Sequence, residues 1–121
     1  MSKRIYISPS WAFHGDRGDA LNPQLFTLLN RIKETGKLTK AAALANISYR
    51  HGWNLLDQAH QFFGSPVVHL EKGRGATLSP LGEKLLWAEQ RVAARLTPQM
   101  ENLASELNIE IHKEIAELSP I

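Results

Sequence analysis

The apolar residues of the chain follow helical spacing in several separate stretches. In the first stretch they recur at intervals of three and four residues, at Leu25, Leu28, Leu29 and Ile32. Asn22 and Pro23 stand before this run and Gly36 follows it. An asparagine–proline pair is typical of a helix start and a glycine of a helix end. The pattern therefore predicts a first helix between these signals.

Two further helices are predicted close together in the middle of the chain. Thr39 is a suitable N-cap for a short alanine-rich helix over residues 40–45, and a short turn follows it. Ser48 is then a suitable N-cap for a third helix that ends at Gly64. Its apolar face contains Leu55, Leu56, Ala59, Phe62 and Phe63.

A hairpin and a long helix complete the pattern. Residues 67–70 and 76–78 are rich in β-prone side chains and flank the turn sequence KGRG. Ser79 and Pro80 then open a helix whose apolar positions continue at steps of three and four as far as residue 118. Because Pro98 lies inside this stretch, we expect a kink or a break and restart there.

This order of elements predicts a mostly α fold with a small β component, namely a winged helix-turn-helix followed by a long C-terminal helix. We assign residues 1–79 to the winged helix-turn-helix domain and residues 80–121 to a helical dimerisation or linker segment. Residues 3–8 and 11–14 are also β-prone and predict short strands ahead of the first helix.

Composition narrows the class of protein. The chain has 121 residues, of which 43% are hydrophobic, and this is enough for one globular domain. It contains no cysteine, which excludes disulfides and thiol catalysis. The histidine spacing is not that of a zinc site, and no nucleophile–base pattern or phosphate loop is present. We therefore predict no enzymatic activity, no catalytic residue, no metal and no cofactor bound by this chain.

The apolar runs are also too short for a membrane protein. None approaches the roughly 20 residues of a membrane span, and the N-terminus lacks the apolar core of a signal peptide. We expect a cytoplasmic protein that does not interact with membranes.

Charge is unevenly distributed along the chain. Residues 31–74 contain seven Lys or Arg against three Asp or Glu, whereas residues 75–121 contain four against seven. A basic middle beside an acidic tail is expected of a polyanion-binding head joined to a separate helix. Scattered solvent-exposed charge remains the alternative interpretation of these counts.

The place of the third helix in the pattern indicates what its first turn does. In a helix-turn-helix the second helix of the pair enters the DNA major groove with its N-terminal residues at the base edges. Arginine can bond guanine bidentately and asparagine can do so to adenine, while hydroxyls and lysines contact phosphate. We predict a double-stranded DNA interface that includes the wing tip and consists of Thr39, Lys40, Ser48, Tyr49, Arg50, His51, Asn54, Lys72 and Arg74.

The sequence TKAAALANISYRHGWNLLDQAHQFFGSPVV, followed by GRGATLSPLGEKLL, resembles the winged helix-turn-helix head of LysR-type regulators. It is more similar still to the molybdate-responsive, ModE-type branch, through SYRHGW at the start of the third helix and the serine–proline entry to the last helix. The resemblance covers about residues 21–95. It implies a sequence-specific transcription regulator with DNA contacts near Thr39, at residues 48–51 and near Arg74.

The chain departs from the resemblance in three respects. His51 stands where the branch often has a second basic residue, and Gly52 replaces a larger residue. ModE-type regulators carry molybdate-binding modules after the linker helix, and no such module fits in the remaining residues. We therefore expect either a stand-alone head or a fragment of a longer regulator. Molybdate or another small effector is expected only if a sensor domain lies elsewhere.

The last helix pairs two subunits in this superfamily, which implies a homodimer. The apolar stripe has the character that such pairing needs. Packing of the stripe against its own domain is the alternative. The predicted dimerisation residues are Leu85, Val92, Leu96, Met100, Leu103, Leu107 and Ile111.

Two questions stay open at the level of sequence. A winged helix can serve protein–protein contact or oligomerisation without DNA, and Trp11, Trp53 and Trp87 would suit that role if they are not core anchors. Gly52 lies in a helix interior, where glycine costs roughly 1 kcal/mol relative to alanine. We expect it to let the second helix pack closely, against Ala42 or Ala45.

Overall fold

A computed structural model describes residues 4–118. In chain order its elements are α1 (Gln24–Thr35), α2 (Leu38–Leu44), α3 (Tyr49–Phe63), β1 (Val68–Glu71), β2 (Gly75–Leu78) and α4 (Pro80–Leu118). The predicted fold class, mostly helical with a two-stranded wing, is confirmed. Residues 12–90 form one compact unit, and residues 4–11 form a second with residues 91–118. The functional boundary placed between residues 79 and 80 stays a prediction.

Side-chain and glycine caps define the helix ends, largely as predicted. The Asn22 Oδ1 accepts from the Gln24 backbone N–H at 2.9 Å, and the Ser48 Oγ accepts from the His51 backbone N–H at 3.0 Å. Gly36 ends α1 with φ +72°. These contacts satisfy backbone groups that a helix end leaves unpaired.

The predicted N-cap at Thr39 is wrong. Helix α2 begins at Leu38, and the extended Lys37 precedes it without a side-chain cap. Leu38 is only 5% exposed. Its burial in the core draws it into the first turn of α2, so Thr39 lies inside the helix and is exposed. Tertiary packing overrides the local capping preference here.

The N-terminal strands predicted over residues 3–8 and 11–14 are also wrong within the described residues. The only β pairing from residue 4 to residue 20 is a single bridge between His14 and Ala20. The backbone has other partners, because the Ile7 N–H donates to the Asn108 Oδ1 at 3.1 Å. A β-prone sequence without a neighbouring strand cannot form a ladder. Lys3 lies outside the described residues.

Helix α4 continues through Pro98 as far as Leu118. Of the two outcomes expected at that proline, the break and restart therefore does not occur. Proline removes one backbone donor, and the hydrogen bonds on either side maintain the helix. No helix within residues 4–118 has both the length and the apolar character needed to cross a membrane.

The core of the winged helix lies between α1, α3 and the wing. Helix α1 supplies its centre, since Leu25, Leu28, Leu29 and Ile32 are at most 1% exposed. Helix α3 adds Leu55, Leu56 and Ala59, and the hairpin adds Val67, Val68 and Ala76. The α1 and α3 residues are those on the apolar faces that the helical spacing predicts.

A backbone hydrogen bond attaches the wing to the C-terminal end of α1, where the Ala76 N–H donates to the Gly36 carbonyl at 2.8 Å. At the base of the hairpin, the Ser79 N–H donates to the Val67 carbonyl at 2.9 Å. Gly75 has φ +93°, and a Cβ there would overlap the Gly36 carbonyl oxygen. The start of β2 thus has a defined position relative to the end of α1.

Gly52 is buried and faces α2, as predicted, but close packing does not require it to be glycine. A Cβ at this position would lie 3.6 Å from the Ala42 Cβ and 3.5 Å from the Leu38 Cδ1. These are ordinary van der Waals separations. Of the two neighbours expected from the sequence, Ala42 lies against Gly52, and Ala45 contributes none of the three nearest atoms.

Candidate nucleic-acid interface

The outward face of α3 presents four large side chains. Tyr49, Arg50, Trp53 and Asn54 are exposed and together line a shallow concavity. They share a face because residues three or four apart in a helix lie one above the other. The opposite face is buried in the core, through Gly52, Leu55, Leu56 and Ala59. The structure thus brings together three of the predicted DNA-contacting residues and Trp53, which was not among them.

His51 and Ser48, at the same end of α3, both make hydrogen-bonding contacts within the protein. The His51 Nε2 lies 2.8 Å from the Gln24 Oε1, so the imidazole contacts α1 and is only partly exposed. The Ser48 Oγ caps the helix while the residue stays exposed. Both side chains therefore have structural partners in the protein, in addition to any role at the interface.

A second concavity, which we call the wing groove, lies between α2, α3 and the hairpin. It is lined by Lys37, Leu38, Thr39, Tyr49 and residues 70–76. It joins the predicted residues Thr39, Tyr49, Lys72 and Arg74, which come from three different elements. Tyr49 lines both the wing groove and the α3 concavity, so the two form neighbouring parts of one surface. Lys40 is exposed on α2 and lines neither concavity.

The basic wing tip is open to solvent. The Arg74 side chain is 83% exposed and its Nη1 lies 3.9 Å from the Glu71 Oε2. An ion pair this long and this exposed contributes little and is readily exchanged for another anion. Lys72 is also exposed at the tip. The wing therefore presents two cations beside the outward face of α3.

Trp53 is the residue of this surface that sequence reasoning missed. The sequence leaves it as either a protein-contact residue or a core anchor, and at 47% exposure it is not a core anchor. The signal was available in its spacing, because Trp53 stands four residues after Tyr49 and three after Arg50 and therefore shares their face.

The apolar stripe of α4 changes character along the helix. Leu86 is buried, and Leu81 and Leu85 pack against the core of the winged helix. Farther along, Leu96, Leu103 and Leu107 are 37%, 49% and 38% exposed. Val92, Met100 and Ile111 are partly exposed. The first part of the stripe thus covers its own domain, and the later part presents apolar side chains to solvent.

The described residues contain no group of three or more His, Asp or Glu side chains that could hold a metal ion. The candidate interface combines amide, guanidinium, ammonium, hydroxyl and aromatic groups on the exposed face of α3 and on a basic hairpin. This is the chemistry of nucleic-acid surfaces rather than of a metal centre.

The fold is similar to that of solved LysR family regulators and of a DNA-binding domain. It is similar to the DNA-binding domain of CbnR, solved in complex with DNA, with a TM-score of 0.60 and 14% identity over 69% of this chain and 95% of that one. It is also similar to full-length LysG, an LTTR from Corynebacterium glutamicum, with a TM-score of 0.57 and 24% identity over 72% of this chain and 30% of that one.

The sequence is similar to two molybdenum-related proteins. The molybdenum-pterin-binding protein MopB of Rhodobacter capsulatus is 28% identical over 97 residues, which cover 77% of this chain and 36% of that protein. The molybdenum transport protein ModE of Herbaspirillum seropedicae is 32% identical over 75 residues, covering 57% and 28%. The chain thus spans about a third of the length of these relatives. No protein-family model matches it. The resemblance to a LysR-type, ModE-like winged helix is confirmed.

Proposed function

We propose that this chain is a sequence-specific double-stranded DNA-binding domain of a cytoplasmic transcription regulator. Helix α3 enters the major groove, the wing contacts the backbone or the minor groove, and two copies act as a homodimer. One observation supports the proposal most directly: the exposed, polar face of α3 lies beside a basic wing in a LysR-type fold. The similar CbnR domain was solved with DNA.

The α3 face supplies the base-reading groups in this proposal. Arg50 bonds the O6 and N7 of a guanine, and Asn54 bonds the N6 and N7 of an adenine. Both side chains are exposed and belong to the same concavity. His51 has a smaller part, since one ring nitrogen contacts Gln24.

The groups around the wing groove position the duplex. Thr39 and Tyr49 offer hydroxyls, and Lys72 and Arg74 offer charge, all within one groove. Ser48 and Lys40 are exposed nearby on the helix pair. Phosphate contacts of this kind fix register and orientation without reading sequence.

The proposal assigns a binding role and no catalysis to this chain. The relatives named above are described as binding, transport and regulatory proteins. Molybdate or another small effector enters only through a sensor domain elsewhere, because the proposed interface uses none.

Duplex binding by the purified chain tests the proposal directly. Random duplexes are selected on the protein, and binding of the selected duplex is then titrated between 50 and 200 mM salt. Release of counterions predicts a steep linear fall of log K with log salt, roughly 0.9 per phosphate contact. The control is a shuffled duplex, which is expected to bind more weakly. A protein-contact module would instead show no duplex binding even at low salt.

The homodimer is tested by light scattering at micromolar concentration. We expect a mass of twice the 13.6 kDa chain. Leu103→Glu places a charge on the exposed apolar stripe and is expected to give a monomer, since an unpaired charge is costly in an apolar interface. Glu106→Gln alters an exposed polar position nearby and serves as the control. A monomeric parent chain contradicts the dimer.

A further inference from the structure

We propose that Trp53 reads thymine in the major groove, through contact of its indole with the C5-methyl group. The inference rests on the proposed function and adds a residue and a base to it. The methyl of thymine is the apolar feature of the major groove, and apolar side chains recognise it by contact.

The position of Trp53 supports this role. Its exposed face shares a concavity with Tyr49, Arg50 and Asn54, so the ring lies among the proposed base-reading groups. Trp53 is 47% exposed, and the protein covers the other half of its surface. A large side chain held in this way presents apolar area with little loss of conformational freedom on binding.

The side of Trp53 toward the wing is also apolar. The ring lines a groove with Leu56, Pro66, Val67, Val68 and Leu70, between α3 and β1. The polar groups of this groove, Asp57 and His60, lie farther along α3. Because Leu56, Val67 and Val68 belong to the core, the accessible apolar surface beside Trp53 comes mainly from Leu70, which is 46% exposed, and from the partly exposed Pro66. A methyl group in the major groove fits this surface.

The geometry also places the thymine. Arg50 and Trp53 are three residues apart, which is about 4.5 Å along a helix axis. Successive base pairs are about 3.4 Å apart. The thymine read by Trp53 therefore lies within about two base pairs of the guanine read by Arg50.

Replacement of thymine by uracil tests the assignment, because it removes only the methyl group. In a duplex selected by the protein, each thymine is replaced singly by deoxyuridine. We expect about fourfold weaker binding at one or two positions near the Arg50 guanine, the ratio that corresponds to about 0.8 kcal/mol for burial of one methylene-sized group. The variant Arg50→Ala identifies the guanine, because it relaxes the selected sequence at that base pair. The uracil-sensitive positions are expected beside it.

The variant Trp53→Ala is expected to bind the thymine and uracil duplexes equally while keeping the salt dependence of the parent. Trp87→Ala removes a tryptophan of similar exposure, 51%, on α4 and is expected to retain the discrimination. Trp53→Gln keeps part of the side-chain length and replaces the apolar ring with a polar amide, so it serves if the alanine variant does not fold. Thermal unfolding of each variant verifies the fold.

The outcomes separate this inference from the proposed function. Equal binding of thymine and uracil at every position, with salt-dependent duplex binding intact, overturns the role of Trp53 and leaves DNA binding standing. If folded Trp53→Ala or Trp53→Gln still distinguishes thymine from uracil, another residue makes the methyl contact, and the role of Trp53 is again overturned. If no duplex binds even at low salt, both the role of Trp53 and the proposed DNA-binding function are wrong.

Discussion

Replacing Gly82 with alanine is expected to destabilise the winged helix by roughly 3 kcal/mol, the upper part of the usual range for overpacking. Gly82 lies in the first turn of α4 and is buried. A Cβ there would overlap the Val67 carbonyl oxygen and lie 3.5 Å from the Leu78 Cβ. The obstacle is backbone, held by the Ser79 N–H that donates to the same carbonyl, so it cannot move as a side chain does.

Gly52→Ala is the matched control, because it adds the same methyl group to another buried helical glycine. The space at Gly52 accommodates a Cβ. Alanine is the better helix former by roughly 1 kcal/mol, so this variant is expected to gain stability of that order. Urea unfolding measures both changes as shifts of the midpoint at constant slope. Equal effects of the two substitutions would contradict the close approach of α4 to residue 67.

Arg50→Ala is expected to cost about 1–3 kcal/mol of DNA-binding free energy and to relax sequence preference at one base pair. The guanidinium lies on the exposed α3 face, where it makes a bidentate contact in the proposed complex. Selection of duplexes by the variant and titration of the parent site measure the two effects separately.

Lys72→Ala tests the opposite role. Lys72 lies at the exposed wing tip. Its loss is expected to weaken binding to all DNA sequences alike and to lower the slope of log K against log salt by about one. Lys113→Ala removes the same charge from an exposed position on α4, where Lys113 pairs with Glu110 at 3.7 Å, and is expected to leave binding near the parent value. If Arg50→Ala and Lys72→Ala act identically, the division into base reader and backbone anchor is wrong.

Much of the fold follows from local sequence signals. Asn22, Ser48, Gly36 and Gly64 mark helix ends because a cap and its partner are at most four residues apart. The hairpin similarly follows from a glycine turn between two β-prone runs, and its register pairs Val68 with Leu78 and Glu71 with Gly75. Such features need no information about the rest of the chain.

The candidate site is predictable only in part. The face of α3 follows from helical spacing, which placed Tyr49, Arg50 and Asn54 together. The orientation of the His51 side chain does not follow from helical spacing, because it depends on a contact with Gln24, which is 27 residues away. The exposure of Trp53 does not follow from residue type either, since tryptophan is usually a core anchor.

By itself, the sequence determined the class of fold, the order of the helices and wing strands, the helix ends at Asn22, Gly36, Ser48 and Gly64, and the resemblance to LysR-type and ModE-type heads. Each depends on periodicity or on residues close together in the chain. Only the tertiary structure decided that α2 begins at the buried Leu38, that the N-terminal residues lack a strand partner, and that Thr39, Tyr49 and the wing form one groove. These depend on contacts between distant residues, such as the Ala76 N–H with the Gly36 carbonyl.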